Sequence, residues 1–396
     1  AKWIWTEENT RPDDWVVFRQ SFQARRQSTC ILLVSAETRY FLRINGKPAV
    51  LDGSLLRDAD VPHSGYYDRV DIGPFLRDGT NTLELLAWYW GNGGRNSNPN
   101  PHAGVIFECT DLDLHSGKET HCARHEAYRP SCRGDQPSFL YGGYNIEYDA
   151  NREDPAGFRF RNATEYGPDL YGPLFERPIP LFRFSRIHRK PWRKGGDDLY
   201  QVRLPAMRHV FPYFKVHAAG GETIDIRTDR YVTRGGPGDH AGCYNGHRTE
   251  YRCKPGENEF LGLDWQACEA LLFTIPPSVT VLSLGYRITE YDAEILPILR
   301  TGDREADRLL RKCARTLKAC MRDNFMDCPD RERGQWIGDI CVQAPQVFYA
   351  LDRNAIPLLK KAIRNFILLR RGDVLVGNVP GIHAGELPPQ SLNAIS

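Results

Sequence analysis

The thirteen residues 327–339, DCPDRERGQWIGD, gather Asp327, Asp330, Arg331, Glu332, Arg333 and Asp339 around a single tryptophan, Trp336. Carboxylates accept hydrogen bonds from hydroxyl groups, and a protonated one can donate a proton to a leaving oxygen. A tryptophan offers a broad apolar face for a sugar ring, while Gly334 and Gly338 let the backbone approach another body closely. Complete desolvation of so many charges would be costly. Two readings follow. Glu332 between two arginines fits a solvated ion-pair loop, and the same residues around an aromatic face fit an assembled sugar site.

The elements that must position this stretch change character along the chain. In residues 303–325, Leu309, Leu310, Cys313, Leu317, Cys320 and Met321 recur at steps of three and four, the pattern of one apolar helix face. Asp303 is placed to cap that helix, with Glu305 and Asp307 in its first turn. Pro329 disfavours helical geometry at Cys328, so the helix is expected to end near Asp327. A second helix is expected from about Trp336. A third, over 355–370, would carry Leu359, Ile363, Phe366 and Leu369 on one face.

Upstream the period is two. Tyr40, Leu42 and Ile44 alternate with Arg39, Phe41 and Arg43, and Asn45–Gly46 supplies a hairpin turn. Residues 82–90 (TLELLAWYW) suit a central sandwich strand, and 91–101 (GNGGRNSNPNP) read as a surface loop. Residues 211–231 read as strand, Gly220–Gly221 turn, strand, with further strands near 269–275 and 279–288. Short strands without alternating helices favour sandwiches over a parallel sheet.

The spacing D-C-P-x-R-E-R-x-x-W-x-G-D closely resembles the catalytic motif of bacterial α-L-rhamnosidases, the inverting glycoside hydrolases of family 78, in its shorter variant. The opening Trp3–Ile4–Trp5, residues 40–47 (YFLRINGK) and 78–82 (DGTNT) are similar to the family's N-terminal sandwich. Residues 250–275 resemble the sandwich that precedes its catalytic domain. The resemblance implies a multidomain β + α chain: two N-terminal β-sandwich (jelly-roll-like) domains, 1–170 and 171–298, then the first helices of an (α/α)6 barrel over 299–396.

For the site, the resemblance implies Glu332 as general acid, Asp327 and Asp339 as carboxylates binding sugar hydroxyls, Arg331 beside them and Trp336 as the pocket wall. Glu386 and Gln390, in the segment ELPPQ, resemble a loop near the pocket in part of the family. The implied reaction removes terminal α-L-rhamnose from a glycoside or polysaccharide with inversion, using no cofactor and no metal. In the family the general base comes from a later helix-connecting loop. Fewer than a hundred residues follow Leu299, room for roughly three to five helices. The expectation is therefore a fragment whose base and remaining barrel half lie outside this sequence. The alternative is a non-catalytic carbohydrate-binding or scaffold protein that keeps the pocket; a shifted specificity for another deoxy or uronic sugar is a variant of the enzyme.

Composition narrows the classes. Fifty-two basic against 50 acidic residues leave a net charge of +2, without the basic bias of nucleic-acid binding. No apolar run approaches a membrane span of roughly 18 residues. The chain opens without methionine, as a trimmed product would, and a soluble periplasmic or secreted setting is favoured over a cytoplasmic one. Eleven irregularly spaced cysteines with no C-x-x-C pair read mostly as small core residues. His121 and His125, four apart, would share a face if helical, but no carboxylate framework for a metal accompanies them.

Overall fold

A computed structural model of the chain describes residues 1–7, 10–56, 65–129, 143–153, 158–230, 246–297 and 300–381. It divides into two compact units. The first comprises Ala1–Gly93, Ser97–Pro130 and Arg152–Arg177, and the second Gly94–Asn96, Ser131–Asn151 and Pro178–Ser396.

The first unit is a β-sandwich. One sheet runs Thr164–Tyr166, Trp3–Trp5, Val105–Cys109, Ile31–Ala36, Gly65–Asp71, Leu174–Glu176. The other runs Arg161–Asn162, His121–Arg124, Asp14–Ala24, Gly79–Tyr89, Arg39–Ile44, Lys47–Gly53. Fully buried Trp5 and Phe18 bring the two sheets together, ring centroids 5.5 Å apart. The expected hairpin is present: Ile44 pairs Lys47 across Asn45 (φ 51°) and Gly46 (φ 74°), the left-handed pair that such a turn requires.

One local expectation fails here. Residues 91–101 do not form a simple surface loop, because Asn96, Ser97 and Asn100 are buried. Asn100 is held through its backbone, its N–H donating to Glu37 and its carbonyl accepting from the Tyr89 hydroxyl. His121 and His125 share no helix face, since His121–Arg124 is a strand paired with Asp14–Ala24. The nine described cysteines are unpaired and six of them are buried.

The second unit is built on the long strand Leu199–Ala218. Its first half pairs Gln266–Thr274; after a register break between Arg203 and Arg208, its second half lies between Thr280–Glu290 and Gly256–Leu261. Thr223–Thr228, Arg248–Arg252 and Ile146–Asp149 extend the sheet on one side, and Arg183–Lys190 on the other. An aromatic cluster of Tyr148, Phe214, Tyr251 and Phe260 fills its interior.

Three helices follow: α1 (Arg304–Ala319), α2 (Ile337–Ala350) and α3 (Ile356–Leu368). Asp303 caps α1, accepting from the backbone N–H groups of Glu305 (2.8 Å) and Ala306 (3.2 Å). The helix ends eight residues short of the expected Asp327. Tertiary contacts override the local pattern there. His209, buried and pushed well below its ordinary range by that burial, is neutral and meets the Ala319 carbonyl at 2.7 Å. Arg322 is fully buried, donates to the Thr289 carbonyl and hydroxyl, and stacks on Phe182 and Trp265.

The apolar face of α1 is correspondingly narrower than its sequence period. Leu317, Cys320 and Met321 are buried, whereas Leu309, Leu310 and Cys313 are exposed. Phe348 and Tyr349 of α2 and Ile363 and Ile367 of α3 are also exposed around a cavity of about 560 Å³, so the helical layer is not closed among the described residues. No helix among them is long and apolar enough to cross a membrane.

Asp303→Ala is expected to cost about 1 kcal/mol, from loss of the cap, and to leave the sheets intact. Urea unfolding followed by helical circular dichroism measures it; no change would mean that tertiary contacts alone hold this helix start.

Candidate functional site

Residues 327–334 form a turn closed by two hydrogen bonds. The Asp327 N–H donates to the Gly334 carbonyl (2.8 Å), and the Gly334 N–H returns to Asp327 Oδ1 (3.0 Å). Reversal of the chain is completed at Arg333, whose φ of 52° lies in the left-handed region that costs a side-chain-bearing residue about 1 kcal/mol or more. What over-determines that conformation is the guanidinium itself. It is buried under the turn, lies 3.5 Å from the Trp265 ring centroid, and donates to the carbonyls of Pro329 (3.1 Å) and Trp265 (3.3 Å).

His247 completes the support. Burial pushes its imidazole down to about 4, so it is neutral near pH 7. Its Nε2–H donates to the Asp330 carbonyl (3.1 Å), leaving Nδ1 to accept from Arg333 (3.4 Å). One tautomer satisfies both partners.

The opposite side of the turn presents the chemistry. Glu332 is buried, and each of its carboxylate oxygens has a donor: Oε1 takes the Arg331 guanidinium, Oε2 the Trp336 indole N–H at 2.9 Å. Two further carboxyls feel its charge. Burial pushes Asp327 up to about 6, with Glu332 adding to the rise. Asp339, in the first turn of α2, is raised by burial and again by Glu332. Like charges gathered in a partly desolvated site disfavour full ionisation, so Asp327 and Asp339 hold their protons more tightly than exposed carboxylates.

Trp336 is fixed at its backbone by a short ladder in which Gln335 pairs Val379 and Trp336 pairs Asn378. Gly334 packs closely beneath it, and a Cβ there would meet the Asn378 side-chain amide at 2.7 Å. The segment 94–96 of the same unit enters this corner. The Arg95 guanidinium carbon stands 4.7 Å from the Trp336 ring centroid.

Asp327, Arg331, Glu332, Trp336 and Asp339 are thus brought to one place, while Glu386 and Gln390 lie outside the described residues. Sequence reasoning left Arg333 without a role and overlooked Arg95, His247, Trp265 and Asn378. The only signal for Arg333 was its position in the motif. Nothing periodic marks Arg95, 241 residues upstream of Trp336. Among the described residues, no group of three or more His, Cys, Asp or Glu is placed to hold a metal ion.

Residues 296–385 match the family model described as the bacterial alpha-L-rhamnosidase 6 hairpin glycosidase domain. The chain is also similar in fold to three solved structures. They are a GH78 family rhamnosidase of Bacillus sp. GL1 (15% identity, TM-score 0.77), an alpha-L-rhamnosidase from Dictyoglumus thermophilum (18%, 0.74), and a Streptomyces avermitilis alpha-L-rhamnosidase complexed with L-rhamnose (17%, 0.72). These likenesses cover 100%, 100% and 94% of this chain, which spans 66%, 48% and 38% of those chains respectively. No curated protein matches it in sequence. The expected fold class holds: β-sandwich units followed by first helices of a six-hairpin barrel.

Removing the buried support should be severe. Arg333→Ala is expected to destabilise the second unit by about 3 kcal/mol or more, through two stranded carbonyls and a lost stacked cation. Arg333→Lys should recover little, because an ammonium cannot span both carbonyls in one plane. Denaturant unfolding checks both, and a wild-type midpoint for Arg333→Ala would remove this support from the account.

Asp327→Asn tests the raised carboxyl. With a folded value of about 6 against an unfolded value near 4, Asp327 contributes its stability below pH 4. That contribution disappears as pH rises through 6. The wild-type unfolding midpoint should therefore fall relative to that of Asp327→Asn between pH 4 and 7; parallel curves would mean an ordinary carboxylate.

Proposed function

We propose that this sequence carries the acid-bearing part of an α-L-rhamnosidase site, acting on terminal α-L-rhamnose of a glycoside or polysaccharide. The observation that carries the reading is the buried Glu332, aimed by Trp336 and Arg331 and flanked by Asp327 and Asp339. The family match over 296–385, which contains all five residues, supports the sugar class, as does fold likeness to a rhamnosidase bound to L-rhamnose.

In this reading Glu332 gives its proton to the leaving glycosidic oxygen, moving out of its pairing with Arg331 as it does so. Asp327, Arg331 and Asp339 hold sugar hydroxyls, and Trp336 walls the ring. Inversion further requires an ionised carboxylate about 6.5–9.5 Å from the acid, with a water between it and the anomeric carbon. The reading assigns that base to no residue of this sequence. A second reading, sugar binding without turnover, is favoured by one feature: both Glu332 oxygens already have donors.

In protein that also supplies the base carboxylate, hydrolysis of aryl α-L-rhamnosides and binding of L-rhamnose separate the two. If the enzyme reading holds, Glu332→Gln lowers the rate on a poor leaving group by about 10²–10⁴, and much less on an activated aryl group that leaves unaided. Rhamnose binding without release from any rhamnoside would put the binding reading in its place. Equal loss on both leaving groups would withdraw the acid role from Glu332.

A further inference from the structure

We propose that Arg95 is a positioning residue of this site: it fixes the Trp336 indole in the orientation that reaches Glu332 and confines a stacked sugar to the opposite ring face. The inference rests on the sugar-site reading given above.

Three observations converge on Arg95. Its guanidinium carbon is 4.7 Å from the Trp336 ring centroid, within the range where a cation is attracted to an indole face. That indole donates to Glu332 Oε2 at 2.9 Å, so the same ring touches the proposed acid and the cation. The backbone of the segment is clamped rather than draped. A Cβ on Gly381 would lie 2.6 Å from Arg95 Cα and from the Gly94 carbonyl, and one on Gly334 would lie 3.2 Å from Arg95 Cβ. Oriented to satisfy both neighbours, the Asn378 amide donates to the Arg95 carbonyl (2.9 Å) and accepts from the Gln335 N–H (3.2 Å). Asn378 is also the ladder partner of Trp336, so one residue sets the spacing between the backbones carrying cation and ring.

The ladder fixes where the Trp336 backbone lies but not its side-chain rotamer, for which several staggered wells exist. The bond to Glu332 constrains the ring edge, and the cation constrains its plane. Together they select one orientation. An aromatic ring has two faces, and Arg95 occupies one. A sugar stacking on Trp336 must therefore come from the other, which sets the side from which its glycosidic oxygen meets Glu332.

The test uses the full chain with L-rhamnose as probe, comparing wild type with Arg95→Ala, Arg95→Met and Arg95→Lys. Acrylamide quenching without sugar, taken as the difference from Trp336→Phe, reports the indole alone. Arg95→Ala and Arg95→Met should weaken rhamnose binding about five- to tenfold and make Trp336 more quenchable, while Arg95→Lys keeps part of both. If Arg95→Ala does not fold, Arg95→Met, which retains most of the stem, carries the comparison. Wild-type quenching and rhamnose affinity within twofold for Arg95→Met would overturn the proposal. If the wild-type chain binds no rhamnose, the sugar reading fails and the sugar-face claim fails with it; the hold of Arg95 on the indole is then decided by quenching alone.

Discussion

Burial of the Arg333 guanidinium against Trp265 is the constraint on which the candidate site depends. A charge taken out of water needs compensation, and here two carbonyls, an imidazole nitrogen and an indole face supply it. Trp265 belongs to the sheet-bearing body of the unit, immediately before the strand Gln266–Thr274. The turn that carries Glu332 is therefore anchored in β-structure rather than in the helices on either side. Arg322, stacked on Trp265 as well, ties the end of α1 to the same residue. One tryptophan thus sets the relative placement of the first helix and the turn.

This anchoring explains how neighbouring residues serve opposite purposes. Arg331 is partly exposed, Glu332 faces the site and Arg333 faces the core. The left-handed backbone at Arg333 returns Gly334 to Asp327, closing the turn, and sends the chain toward Trp336. Glu332 and Trp336, four residues apart, can then bond to each other. A solvated ion-pair cluster would need none of this. Its charges would be exposed and worth little, whereas here Arg333 and Glu332 are buried and partnered.

Legibility in the sequence followed the range of the interactions. The Asn45–Gly46 hairpin and the Asp303 cap depend on a few adjacent residues, and both lie where the sequence placed them. The five motif residues could be read as a group because one closed turn and the helix start after it hold them together. The end of α1 was not legible, since residues 320–326 hold no proline or glycine to stop a helix; partners at His209, Thr289 and Trp265 decide otherwise. Residues 91–101 looked like a surface loop because glycine, asparagine and proline have no period. The burial of Asn100 depends on partners far along the chain, its N–H donating to Glu37 and its side-chain amide to the Leu170 carbonyl.

The electrostatics of the site follow from the same geometry. Burial raises Asp327 and Asp339, and the charge of Glu332 adds to the rise of both. Protonating Asp327 removes a charge beside Glu332 without opening the turn, because the Gly334 N–H binds an oxygen that can accept in either state. A neutral Asp327 can also donate a hydrogen bond, which its ionised form cannot. The turn can therefore change its charge while keeping its shape. That property arises from the burial of Asp327 in a turn whose other side is anchored by the Arg333–Trp265 contact.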